Sequence, residues 1–115
     1  MFKKNNDEHE IHKVVKDNVI HNKAIINNLL YDTSNSELLC TANRKAYFKT
    51  KNGRYFSCDV SVSTESYYCS TCDFVFETTY IYSNTEPTSA DYIKSVLGRF
   101  DVEKYIELFG EPEEA

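Results

Sequence analysis

Apolar and polar residues change their spacing several times along this chain, and each change predicts an element. Ile11, Val14, Val15 and Val19 recur at helical spacing with Lys13 and Lys16 between them, which predicts a short amphipathic helix over 8–20. From Ala24 to Tyr31 the run "AIINNLLY" is apolar and broken by Asn27 and Asn28. "DTSNS" then supplies a turn, because Asp, Ser and Asn compete for local backbone hydrogen bonds, and "ELLCTA" follows as a second strand. In "AYFKTKNGRYFSCDVSVS", Asn52-Gly53 separates two aromatic and β-branched runs. Both residues accept positive φ, so the pair predicts a hairpin closed by a two-residue type I′ turn.

A polar loop is expected near 63–66. Beyond it Cys72, Phe74, Phe76, Thr78, Tyr80 and Tyr82 share one parity, so a long strand with one apolar face is predicted. "SNTEPTSAD" ends the sheet: Thr88 is the expected N-cap of a helix, with Pro87 blocking its extension backwards. Tyr92, Ile93, Val96 and Leu97 make the buried stripe of that helix, and Gly98 suits its C′ position. Asp101 caps a second helix with apolar positions Val102, Tyr105, Ile106 and Phe109, and Gly110 ends it. The expected fold is α+β: an antiparallel meander of about five strands with C-terminal helices packed on one face and an N-terminal helix. Residues 1–23 read as a polar segment and 24–115 as one α+β domain.

The length of 115 residues suits one domain and buries roughly two-thirds of the unfolded surface. Nine Tyr and seven Phe beside only three Gly and two Pro favour compact strands over disorder. No apolar run approaches the ~20 residues that span a bilayer, and "MFKKNNDEHEIHKVV" has no h-region, so a cytoplasmic location away from membranes is expected. Charge changes the picture further. Residues 1–100 carry 12 acidic and 12 basic side chains, whereas the last fifteen hold Asp101, Glu103, Glu107, Glu111, Glu113 and Glu114 against Lys104 alone. The whole net charge of −5 thus lies on one terminal element. A localised acidic block marks a face that meets something basic, and its alternative is a solvated tail.

The cysteines admit three readings. Cys69 and Cys72 form one Cys-x-x-Cys pair, while Cys40 and Cys58 stand singly on different expected strands. Zinc held by Cys40, Cys58, Cys69 and Cys72 would require four thiolates to converge without a second short-range pair. A redox couple requires a helix behind the first Cys, and this motif leads into a strand, whose parity puts the pair on opposite faces. Reduced structural thiols are the favoured reading, with no cofactor. His9 and His12, with His21 further on, lack a third ligand at diagnostic spacing and read as solvated. No phosphate loop, nucleophile elbow or His-Glu-x-x-His motif is present, and exposed carboxylates such as Glu103 and Glu107 poise no proton transfer, so a non-enzymatic protein is expected. Lys45, Lys49, Lys51 and Arg54 gather at the hairpin, where they would suit nucleic acid or simply blunt an edge.

Three segments, "NNLLYDTSNSELLC" (27–40), "AYFKTKNGRYFSC" (46–58) and "VEKYIELFGEPEEA" (102–115), carry a resemblance. They resemble small proteins from phages and mobile elements of Gram-positive bacteria, which share a strand–turn–strand, a "[YF]-x-T-x-x-G-x-[YFW]-F" hairpin and a C-terminal helix pair. Here the hairpin pattern runs from Phe48 through Thr50 and Gly53 to Tyr55 and Phe56. Some such proteins are anti-CRISPR inhibitors of type II-A Cas9, and the chain is similar to that class in size and composition. The resemblance implies a scaffold more firmly than a target; the cysteine pair and the N-terminal segment lie outside it. What it implies about function is stoichiometric inhibition of a CRISPR nuclease, whose basic channels hold guide RNA and DNA. Asp101, Glu103, Glu107, Glu111, Glu113 and Glu114 would then make the contacts to Cas9 or its guide RNA complex, with exposed Tyr side chains as anchors. The alternatives are a small nucleic-acid-binding domain and a zinc-stabilised adaptor.

Overall fold

The computed structural model describes residues 12–68 and 73–115. In chain order the elements are β1 (His12–Ile20), β2 (Lys23–Ile26), β3 (Leu29–Asp32), a 3₁₀ turn (Thr33–Asn35), β4 (Glu37–Ala42), β5 (Lys45–Lys49), β6 (Tyr55–Tyr68), β7 (Asp73–Thr88), α1 (Ala90–Phe100) and α2 (Val102–Phe109). Five strands form one sheet in the order β1-β7-β6-β5-β4, and β2 and β3 pair separately. The class is α+β, as expected.

The sheet is mixed, which corrects the expected antiparallel meander. Contacts between β1 and β7 advance in the same direction on both strands: Lys13 lies over the Phe76 ring at 4.9 Å, and Asn18 reaches Glu77 at 2.7 Å and Thr79 at 3.4 Å. That pair is parallel, whereas β4–β5 and β5–β6 are antiparallel. The predicted N-terminal helix is also overturned, because His12–Ile20 is a strand. Val14, Val15, Val19 and Ile20 are β-branched, and a free edge of β7 satisfies their backbone groups better than an isolated turn of helix would. Residues 8–11 of the predicted helix lie outside the described residues. The predicted loop at 63–66 is strand as well, since β6 runs unbroken through exposed Ser63, Thr64, Glu65 and Ser66.

Packing divides the chain into two compact units. One comprises His21–Ser61 and Ile81–Ala115; the other comprises the described part of Met1–Ile20 and Val62–Tyr80. In the second unit Val75 is buried, and Phe74 meets Tyr68 and Phe76 at ring-centroid distances of 4.8 and 4.6 Å. The buried residue therefore has the opposite parity to the aromatic face that the alternation predicts as apolar.

The first unit has three layers, because successive strand residues face opposite sides. Ala46, Phe48, Phe56 and Cys58 share one face with Tyr31, and Ile26 and Leu29 of the β2–β3 ribbon pack there. Phe48 stacks on Phe56 with centroids 5.0 Å apart and planes 10° from parallel. On the other face Tyr47 and Leu39 meet Ile93, Val96 and Leu97 of α1. A bulge between Leu38 and Cys40 leaves Leu39 as an extra residue, and both Leu39 and Cys40 join this helix-side cluster.

Turn chemistry places these layers. Asn27-Asn28 and Asn43-Arg44 each occupy the left-handed region, with φ of 53° and 65° and of 53° and 64°. They join Ile26 to Leu29 and Ala42 to Lys45, so both are two-residue type I′ turns. The Asn52-Gly53 hairpin forms, but through a different turn from the one expected. Gly53 alone has positive φ (84°); its N–H bonds Thr50 O at 2.9 Å, and Thr50 N–H bonds Arg54 O at 2.7 Å. A three-residue loop with a glycine bulge therefore replaces the type I′ pair. At the start of the ribbon, buried Thr33 accepts a hydrogen bond from Asn22 N–H at 2.9 Å, and its Oγ1 lies 2.9 Å from His21 Nδ1.

Candidate functional site

The acidic C-terminal residues are positioned by two linked helices. Ser89, not Thr88, is the N-cap of α1: its Oγ accepts from Tyr92 N–H at 3.1 Å, and β7 continues through Pro87 to Thr88. Pro87 limits the helix as predicted, but from within a strand rather than from a loop. Gly98 lies inside α1 and not at its end, which falls at Asp101. Asp101 serves both helices: its N–H bonds Leu97 O at 2.8 Å, and its carboxylate accepts from Lys104 N–H at 3.1 Å. Gly110 ends α2 at φ 89°.

Of the buried stripe expected on α1, Ile93, Val96 and Leu97 are buried, whereas Tyr92 is 53% exposed. On α2, Tyr105, Leu108 and Phe109 pack partly against the helix-side cluster, while Glu103 and Glu107 face solvent and Val102 is exposed. Lys94 of α1 lies over the Phe109 ring at 5.1 Å.

The six predicted contact residues have different surroundings. Asp101 is committed to capping. Glu107 is 3.2 Å from Lys104, which also reaches Glu37 on β4 at 3.3 Å. These carboxylates, Glu107 first and then Glu37, raise the Lys104 pKa above its ordinary value. Glu37 is a member of this acidic cluster that sequence reasoning passed over, since no local spacing links residues 67 apart. Glu103, Glu111, Glu113 and Glu114 are exposed and, among the described residues, pair with no cation.

The basic hairpin residues do not form one patch. Lys45 is bound to Asp59 at 2.8 Å, four residues along β5 from Lys49. Lys49 and Lys51 instead border an open cavity of about 450 Å³ with Ser34, Ser36, Glu37 and Thr50. Cys58 packs on the ribbon side of the sheet and Cys40 on the helix side. The structure therefore does not bring these two thiols together, and burial raises the pKa of each. The Cys69–Cys72 pair, His9 and the side chain of His12 lie outside the described residues. Among the described residues no three His, Cys, Asp or Glu side chains converge on a metal site. No helix among the described residues is long and apolar enough to cross a membrane.

The chain matches no protein-family model, no curated protein and no solved structure.

Proposed function

We propose that this chain is a non-enzymatic binding protein whose acidic C-terminal surface docks on a positively charged groove of a macromolecular partner. The observation that carries the reading is the pairing pattern: Lys104 is already engaged by Glu37 and Glu107, and Glu103, Glu111, Glu113 and Glu114 extend beyond it without a cation among the described residues. The arrangement is poor for helix stability, because three of those carboxylates follow the C-terminal end of α2, where negative charge is disfavoured. A basic partner relieves that repulsion. The resemblance of the hairpin and C-terminal segments to small phage proteins supplies the candidate: a type II-A Cas9, whose channels for guide RNA and target DNA are positively charged. Carboxylates there would substitute for phosphates and block guide or DNA engagement.

Co-elution of the purified chain with a type II-A Cas9, measured with and without guide RNA, tests this. A complex is expected that weakens steeply between about 0.1 M and 1 M salt, where the screening length falls from about 10 Å to about 3 Å. The triple reversal Glu103→Lys, Glu111→Lys and Glu113→Lys should weaken it by at least roughly tenfold, since each charge contributes to encounter and register. Absence of a complex with several such nucleases, or one indifferent to salt and charge reversal, counts against the reading.

A second reading rests on Lys49 and Lys51 at the hairpin cavity. Direct binding of single-stranded RNA would show as a gel shift lost on Lys49→Ala and Arg54→Ala, with the acidic surface intact.

A further inference from the structure

The two edge strands of the five-stranded sheet differ in how they receive another strand. β4, at one edge, is interrupted by the bulge between Leu38 and Cys40, which hinders pairing with a further strand. β1, at the other, is a nine-residue strand, HKVVKDNVI, without proline or glycine. Its only neighbour among the described residues is β7, so one row of its backbone N–H and C=O groups points outward. Val15, Val19 and Ile20 on this strand are 65%, 46% and 52% exposed. Lys13, Lys16 and Asp17 are exposed as well, and Asp17 pairs with no cation among the described residues.

Symmetry limits how a second copy can meet this edge. Two identical edges related by a two-fold axis run antiparallel, and directly opposite pairs alternate between hydrogen-bonded and non-hydrogen-bonded. The axis maps one such pair onto itself, so one residue has to face its own counterpart. Lys16 can therefore never face Asp17, because that would put the axis between two pairs of different kind. Centring on Lys16 or on Asp17 sets like charges against each other at the axis, which is destabilising. Centring on Val14 or on Asn18 brings no opposite charges together. Centring on Val15 sets Val15 against Val15 and Lys13 against Asp17 on both sides of the axis, all on one face. Lys16 then faces Val14, which its aliphatic stem suits.

Within one chain Lys13 and Asp17 are four strand residues apart, about 13 Å, too far to pair with each other. The Lys13 ammonium lies over the Phe76 ring, a contact that forms no ion pair and leaves its charge open to a carboxylate.

We infer that β1 docks on β1 of a second copy of this chain, antiparallel and centred on Val15, joining residues 12–18 of each. A second copy fits better than an unrelated strand, because the charge pattern of the edge is complementary to itself in that symmetric register and in no other.

Sedimentation equilibrium of the full chain tests the inference. A monomer–dimer equilibrium without higher oligomers is expected, because a two-fold contact closes on itself. Hydrogen exchange in residues 12–18 should slow as the chain is concentrated, with no such change in β4. Asp17→Lys leaves the Lys13–Phe76 contact in place and should weaken dimerisation at least roughly tenfold, since the axis repeats each unfavourable pair. Lys13→Asp should act in the same direction, and the double variant Lys13→Asp/Asp17→Lys should return to within roughly threefold of the parent. Circular dichroism reports whether each variant is folded. A parent chain that stays monomeric at about 1 mM, a growing series of oligomers, or slowed exchange elsewhere than in residues 12–18 overturns the inference. So does a folded double variant no better than the single ones. None of these outcomes bears on the acidic surface, whose residues lie in the other compact unit.

Discussion

Lys104 on α2 lies 3.3 Å from Glu37 on β4, although 67 residues separate them along the chain. The same ammonium is 3.2 Å from Glu107, so one cation links the final helix to the edge of the sheet and neutralises part of the acidic surface. Exposed ion pairs contribute at most about 1 kcal/mol to stability, because water screens them and ordering two long side chains costs entropy. Lys104→Met keeps the aliphatic stem and removes the charge. Urea denaturation should show a loss of less than about 1 kcal/mol. Affinity for the proposed basic partner should rise, since two more carboxylates become available to it. Weaker binding by a stably folded Lys104→Met protein would mean that Lys104 itself touches the partner.

Arg44 has φ 64° as the second central residue of the β4–β5 turn. Side chains with a Cβ are strained there, and glycine is not. Its carbonyl accepts from Val60 N–H at 2.9 Å, a bond that glycine preserves. Arg44→Gly should therefore stabilise the chain by about 1 kcal/mol, whereas Arg44→Val should destabilise it by at least as much. Thermal melting of the two variants gives opposite signs if the turn is type I′ in solution.

The two helices should differ in how readily they open. Ile93, Val96 and Leu97 of α1 are buried, whereas α2 has no fully buried residue and packs through Tyr105, Leu108 and Phe109. Few buried apolar contacts mean a low free energy of local opening. Native-state hydrogen exchange should show α2 amides exchanging well before those of α1. Ile93→Ala, at a site with 0% exposure, should cost about 3 kcal/mol and accelerate exchange in both helices.

How far the sequence revealed this fold depended on whether the deciding interaction was local. Asp101 and Gly110 bound α2 through contacts within a few residues, and both were legible. The Asn-Gly hairpin was legible as a hairpin, but its loop length was not, because Gly53 also suits a bulge. The Asn27-Asn28 turn read as an interruption of one strand, since asparagine accepts left-handed backbone without announcing it as glycine does. The helical spacing of Val14, Val15 and Val19 misled because the edge of β7, some sixty residues away, decided the element. In the candidate site, the excess of carboxylates was readable from composition. The sharing of Lys104 with Glu37 was not, because it joins residues from distant elements.

Tyr47 gives the sharpest dependence on pH. Burial foremost, with a hydrogen bond to Tyr92 and that residue's charge adding to it, pushes its pKa up to about 12. In the unfolded chain a tyrosine ionises near 10. Between those values the folded protein keeps a proton that the unfolded chain releases, so the unfolded state gains relative to the native one as pH rises. The Tyr47 contribution is therefore fully present below about pH 10 and is lost as pH climbs toward 12; a shift of this size corresponds to on the order of 3 kcal/mol. Tyr47→Phe keeps the ring against Leu39 and α1 and removes the titrating group. Urea midpoints measured at about pH 9 and about pH 11.5 should fall less for Tyr47→Phe than for the parent chain. Equal falls would assign the alkaline loss to other tyrosines and leave Tyr47 without a part in it.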